Sequence, residues 1–463
     1  MMKKLLLGST ALVAGGLLAA PAMAADPIKI GVGGYYQFFA LAGGIESIYA
    51  PDGSSIQYKG LNFQQEGEIH FTGQSKLDNG TTVGLTVELE GWDPGLSSAT
   101  TGIASSVRQI DEAFLFAFGD WGRIEFGARD QASYRMYYGA PSALLGWGYF
   151  QHNSSFNWAS AAMLANPAQA GNTFQTIGGQ FQDVNRVNYF TPRFMGLQIG
   201  VGYAPKINLA PNAQLAHGMQ SGTNAGLAGV CGFNDATTAS NCPTNDNSWQ
   251  DVFDVGANYL NKFGDVTVAL FGAFMYASFV PSFNNLAGAN ANLATGANLA
   301  AWKQWVIGAQ FGFAGFTVGG SISYDNNGIG GNYYTGVASE SRKFAMAAMY
   351  ETGPWQMSFG WAHTNTDNGN GARTLLTTTQ GTFSGLGFAA APGTTAGNFG
   401  TNPLAGAAVF GGYVADKFEL GVNYALGPGI KLVGGGIFWN VGGPVNGLSG
   451  QSWALMLGMD LRF

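Results

Sequence analysis

The chain has 463 residues, more than one ordinary soluble domain holds, yet no linker divides it. Only 10% of the residues are charged against 46% hydrophobic, too few charges for a soluble chain of this size. After the first twenty or so residues no apolar run is long enough for a membrane-spanning helix. The net charge of −7 argues against a nucleic-acid partner, and 72 glycines beside 33 Phe, 18 Tyr and 11 Trp favour strands and tight turns over helices.

Residues 1–24 read as a secretory signal peptide. Lys3 and Lys4 precede an apolar core from Leu5 to Leu18, and Ala22-Met23-Ala24 forms a cleavage box that predicts a cut between Ala24 and Ala25. Removing the two lysines leaves 18 basic against 27 acidic residues, a mature charge near −9. Both cysteines, Cys231 and Cys242, fall in one Gly/Asn-rich segment. Export through an oxidising compartment predicts a disulfide between them, and with no histidine nearby they make no zinc site.

From Ile28 onward, alternating segments recur: 28–41, 58–76, 80–92, 107–119, 121–129, 184–191, 195–204, 249–262, 264–278, 300–314, 315–325, 341–351, 353–364, 416–426, 429–440 and 451–463. Short links of turn residues, such as Asp78-Asn79-Gly80, Ala314-Gly315 and Gly427-Pro428-Gly429, alternate with eight long polar connections. Strict short-long alternation predicts an all-β, transmembrane, antiparallel up-and-down β-barrel of about sixteen strands, the turns at one rim and the loops at the other. The last segment shows the pattern well. Trp453, Leu455, Leu457, Met459, Leu461 and Phe463 share one face, and Ala454, Met456, Gly458, Asp460 and Arg462 the other, as lipid and water faces of a barrel strand do. Strands 107–119 and 264–278 alternate poorly, which points to a bulge or to packing against another subunit.

The lumen-facing chemistry is concentrated early in the chain. Glu66, Glu68 and His70 on the second strand share parity with Glu88 and Glu90 on the third. A three-residue turn at 78–80 pairs His70 with Glu88 and Glu68 with Glu90, giving a carboxylate-rich patch. Arg108, Arg123, Arg129 and Arg186, with Arg135, cluster around the entry to and exit from the connection from Asp130 to Asp183, 54 residues long (183 − 130 + 1). Facing the carboxylates they would set up a transverse field; paired with them they would be structural. The long connection carries Tyr134, Tyr137, Tyr138, Trp147, Tyr149, Phe150, Phe156 and Trp158. So many aromatics predict that it folds inward and narrows the channel; a surface or subunit-contact role is the alternative.

The signal peptide, the first strand Gly31-Val32-Gly33-Gly34-Tyr35-Tyr36, the run DEAFLFAFGDWGRIEFGARD at 111–130, the long third external loop and the terminal Phe463 together resemble general bacterial porins of the alphaproteobacterial type. The resemblance implies a single barrel domain over 25–463 in the outer membrane of a Gram-negative bacterium, among lipid and lipopolysaccharide, and a homotrimer with loop 130–183 folded into each pore. It also implies that Phe463 is the signal read by the barrel assembly machinery. By position, Arg108, Arg123 and Arg129 match the family's basic wall. One departure stands out: this loop has carboxylates only at its ends, Asp130 and Asp183, which implies a more aromatic eyelet.

A passive channel for small hydrophilic solutes, without cofactor or catalytic residues, is the leading reading, with a substrate-selective channel as its alternative. An outer-membrane enzyme is the remote one: His152-Asn153-Ser154 lies in a loop, and the four histidines are too scattered for a metal site.

Overall fold

The computed structural model describes residues 27–49, 55–91, 110–144, 148–149, 176–177, 184–206, 248–280, 301–326, 340–367, 413–442 and 450–463. All sixteen strands expected from the sequence form. They are β1 Lys29–Tyr49, β2 Ser55–Lys76, β3 Thr82–Glu90, β4 Ile110–Gly119, β5 Gly122–Arg129, β8 Val184–Phe190, β9 Leu197–Lys206, β10 Ser248–Phe263, β11 Val266–Val280, β12 Trp302–Phe313, β13 Phe316–Asp325, β14 Glu340–Thr352, β15 Trp355–Asp367, β16 Tyr413–Gly427, β17 Ile430–Gly442 and β18 Gly450–Arg462. Between β5 and β8 lie a one-turn helix α1, Ala132–Arg135, and a small hairpin of β6, Pro141–Ser142, with β7, Gly148–Tyr149. No described helix is long and apolar enough to cross a membrane.

Each barrel strand pairs antiparallel with its neighbours in the chain, and β18 pairs with β1 to close the ring. The terminal Phe463 completes the seam: its N–H donates to the Gly34 carbonyl at 3.1 Å and its carbonyl accepts from the Gly34 N–H at 3.0 Å. Closure leaves no edge of unpaired amides, which hydrocarbon could not satisfy. Register follows turn chemistry. Between β12 and β13, Ala314 and Gly315 both take positive φ, 49° and 84°, the geometry that matches the twist of a two-residue hairpin. At the β2–β3 turn the pairing is His70 with Glu88 and Glu68 with Glu90, as the parity of the two strands predicts.

Alternation sorts the two faces. On β13, Phe316, Val318 and Ile322 are exposed while Ser321, Ser323 and Asp325 are buried. On β18, Leu455 and Leu457 are exposed while Ala454, Met456 and Asp460 are buried. Apolar groups outward and polar groups inward invert the soluble pattern, because lipid, not water, is the outer solvent. Near the short turns the outer face carries aromatic pairs: Phe316 with Tyr350 at 4.4 Å, Trp355 with Tyr424 at 4.7 Å and Trp121 with Tyr189 at 6.5 Å. These amphipathic rings suit the membrane interface.

The two strands that alternate poorly do so for a reason inside the barrel. On β11 the outward residues Leu270 and Phe274 are exposed, yet the inward ones, Phe271, Met275 and Ala277, are apolar too and buried. They pack against the segment after β5, in a cluster with Met136, Tyr137, Ile177, Val252, Trp302 and Val306. On β4 the inward Phe114 and Phe116 lie beneath arginine side chains: the Arg129 guanidinium is 4.4 Å from the Phe114 ring and that of Arg123 is 4.6 Å from Phe116. The ladders of both strands also carry register shifts, at Val87/Leu89 on β3 and Gln250/Phe253 on β10.

Candidate functional site

Of the described residues of the long connection, 131–144 and 176–177 lie against the inner wall and are tied to it strand by strand. Asn188 of β8 donates to the Asp130 carbonyl at 2.8 Å. Asp254 of β10 accepts the Ser133 N–H at 2.7 Å on one oxygen and pairs with Arg186 at 3.2 Å on the other, all three nearly inaccessible. Asn258 donates to the Met136 carbonyl at 3.0 Å, and Gln310 of β12 to that of Gly139 at 2.8 Å. The Tyr137 ring meets Phe271 edge-on at 5.5 Å while its hydroxyl bonds Ser321 of β13 at 2.6 Å and Thr176 at 3.0 Å. Further along, the Ala143 N–H donates to Ser358 of β15 at 2.7 Å, and the Ser142 hydroxyl donates to Glu419 of β16, itself paired with Lys417 at 3.1 Å. Tyr134 packs half-buried on the same apolar cluster.

Glycines on the wall make this approach possible. A Cβ on Gly308 would stand 2.0 Å from the Tyr138 carbonyl oxygen, one on Gly421 2.3 Å from the Leu144 nitrogen, and one on Gly256 2.9 Å from the Ser133 Cα. Inward strand glycines therefore mark where the second chain segment lies, a signal that was present in the sequence but submerged among 72 glycines.

Ion pairs, not separation, organise the charges. Arg129 pairs with Glu88 at 3.2 Å and, more closely, with Glu112 of β4; Glu112 also accepts the Asp130 N–H at 2.9 Å. Glu125 of β5 is 1% exposed and takes Arg123 at 2.6 Å and, closely, Arg135 from α1. Glu68 pairs with His70 at 2.7 Å, and the Tyr35 hydroxyl donates to Glu68 at 2.9 Å and Glu66 at 3.3 Å. The carboxylate strands β2 and β3 and the arginine strands β5 and β8 are consecutive around the barrel, apart from β4 between them. Of the two readings open for these arginines, opposition across the pore or structural pairing, the described residues show pairing along one arc of wall, because the cross-strand neighbours sit within ion-pair reach. Glu125 shares the parity of Arg123 and Arg129 on β5, whereas Glu112 and Asp254 are the partners that strand parity alone did not single out.

The ligand atoms of Glu68, His70 and Glu88 lie within 4.8 Å of one another, as do those of Glu68, Glu90 and Asp111. One histidine joined by carboxylates from neighbouring strands thus reaches the spacing of a cation site that scattered histidines alone do not. Arg108, the cleavage pair Ala24 and Ala25, Cys231 and Cys242, Asp183 and the His152/Ser154 pair lie outside the described residues.

Residues 8–276 match the family model for Gram-negative porins. An uncharacterised protein of Rickettsia conorii is 22% identical over 283 residues, a stretch that spans 57% of this chain and 64% of that relative's length. Among solved structures, the loop-L8 deletion mutant of OmpT, an outer membrane protein of Vibrio cholerae, is similar with a TM-score of 0.49 at 10% identity, covering 95% of this chain and all of that one. An anion-selective porin from Comamonas acidovorans is similar with a TM-score of 0.49 at 13% identity, covering 94% of this chain and all of that one.

Proposed function

Because the chain belongs to the Gram-negative porin family, we propose that it forms a water-filled channel for passive diffusion of small hydrophilic solutes and ions across the outer membrane. The observation that carries this reading is the closed sixteen-stranded barrel with apolar residues outward and polar residues inward. Such a wall satisfies its backbone amides from strand to strand while keeping a polar path through the middle.

Within that channel, loop 130–183 is the constriction. Tyr134, Arg135 and Asp130 from the loop line it with Arg123, Arg129, Arg186 and the Glu66, Glu68, His70, Glu88 and Glu90 patch, and Arg108, outside the described residues, belongs with them by position. Support comes from the hydrogen bonds that tie 131–144 to the wall and from the apolar cluster beneath it. A substrate-selective channel is the second reading, favoured by the phenylalanines that back the arginines on β4.

The same reading takes 1–24 as a leader removed after Ala24, the mature chain as a homotrimer, Phe463 as the contact for the assembly machinery and Cys231–Cys242 as a loop disulfide. Edman sequencing, native electrophoresis and mass shift on reduction test these separately. For the channel itself, planar-bilayer recording is decisive: stepwise conductance that rises in proportion to salt supports it, and well-folded protein that never conducts overturns it.

A further inference from the structure

A cavity of about 390 Å³ opens between the β4–β5 and β8–β9 turns, beneath α1, bounded by Phe118, Arg123, Arg135, Met136, Phe190 and Gln198. Its size falls within the roughly 300–1,000 Å³ of small-molecule sites. Two guanidinium groups enter it and share a single carboxylate. Glu125 receives Arg123 through Nε on one oxygen and Arg135 through Nη1 on the other, so one carboxylate serves two guanidinium groups and the trio carries one excess positive charge. Among the described residues, no hydrogen-bond acceptor meets the Nη groups of Arg123 or the Nη2 of Arg135, and the two side chains keep 32% and 24% of their surface.

Both arginines are also held in place. The Arg123 guanidinium lies 4.6 Å from the Phe116 ring and 5.6 Å from Phe118, and that of Arg135 lies 5.0 Å from Phe190. A stacked guanidinium is a pre-set fork for a carboxylate, and less freedom is lost on binding. The remaining wall is apolar where it is ringed by Phe118, Phe190 and the Met136 side chain, and polar only at Gln198 and Thr191. A single excess charge matches a monoanion, and the ring edges match a short planar apolar body.

We infer that this cavity is a binding site for small aromatic monocarboxylates on the short-turn side of the constriction, so that the channel retains such solutes where others pass. The inference rests on the channel reading and adds a solute class to it. In outer-membrane barrels the short turns face the periplasm, so a solute held on that side is handed to or taken from that compartment.

The test is titration calorimetry of the full folded protein in detergent micelles with benzoate, benzamide, acetate and inorganic phosphate, paired with bilayer recording. Benzoate should bind saturably and reduce the current, with benzamide, which lacks the charge, and acetate, which lacks the ring, each about tenfold weaker or more, the worth of one charge-assisted hydrogen bond or one buried ring. Arg135→Gln should weaken benzoate by about the same factor. Should that variant fail to fold, Phe118→Leu removes the ring edge while keeping both Glu125 ion pairs, and should selectively lower the preference for benzoate over acetate. Equal binding of benzoate with benzamide, acetate or phosphate, or an affinity unchanged in the variants, overturns the site. Calorimetry reads binding without conduction, so a conducting channel that ignores benzoate sinks this inference alone. A benzoate-binding barrel that never conducts sinks the channel and leaves the site.

Discussion

Replacing Gly308 by alanine puts one methyl group where the inward segment touches the wall. The new Cβ would lie 2.0 Å from the Tyr138 carbonyl oxygen, whereas ordinary contact begins at 3.4 Å, so something must move by about 1.4 Å. The wall is the stiffer partner, since β12 is laddered to β11 and β13 along its length. The loop yields instead. A 1.4 Å shift there stretches the Gln310 bond to Gly139, now 2.8 Å, and the Tyr137 bond to Ser321, now 2.6 Å, out of hydrogen-bonding range. At roughly 0.5–1.5 kcal/mol each, the loss is about 1–3 kcal/mol, the range typical of overpacking a tight contact. Gly272→Ala is the matched control, because a Cβ there meets nothing within 4 Å, and should stay within about 0.5 kcal/mol of the parent. Denaturant midpoints and single-channel conductance are read on both. Gly308→Ala should unfold earlier and alter conductance while Gly272→Ala does neither. Two variants indistinguishable in both assays would refute the packing of 131–144 on the wall.

Asp254→Ala removes the acceptor shared by Arg186 and the Ser133 N–H and should cost about 3–5 kcal/mol in denaturant unfolding; a parental midpoint would show that this buried pair holds nothing. Glu125→Gln raises the net charge of its arginine pair from +1 to +2, and the reversal potential in a salt gradient should move toward anion preference; no movement would place the trio off the conduction path. Glu68→Gln with Glu90→Gln removes two of the carboxylates on β2 and β3, on the other side of β4, and should move the potential the same way, which a potential equal to the parent would contradict. Leu457, 67% exposed, lies on the outward face of β18; Leu457→Arg sets a charge there and in lipid should destabilise the barrel by about 2–4 kcal/mol, and a neutral result in bilayers would mean that face is not in hydrocarbon.

Most of the barrel is legible in the chain because its rules are local. Side chains alternate with period two, turns need residues that accept positive φ, and lipid demands that apolar groups face out, so strand number, topology and even the pairing of His70 with Glu88 follow from parity and turn length. Phe463 at the end of β18 likewise belongs to a pattern visible in Gln451–Phe463.

What the sequence did not disclose is the inside. The poor alternation of β11 pointed to a bulge or a subunit contact; its ladder with β10 does carry a register shift, while its second apolar face meets Tyr137 and Gln131 of the inward segment through Phe271 and Met275, and only the fold shows which of two apolar faces meets protein. The arginines were visible as a group, yet whether they opposed the carboxylates or neutralised them depended on the order of strands around the ring. The structure places them beside each other, with Glu112 and Glu125 as partners. Alternation is a property of each strand and can be read along one chain. Which residues share the lumen, and at what distance, is a property of closure and of where a long loop lies down, and nothing within ten residues of Arg129 encodes its contact with Glu88.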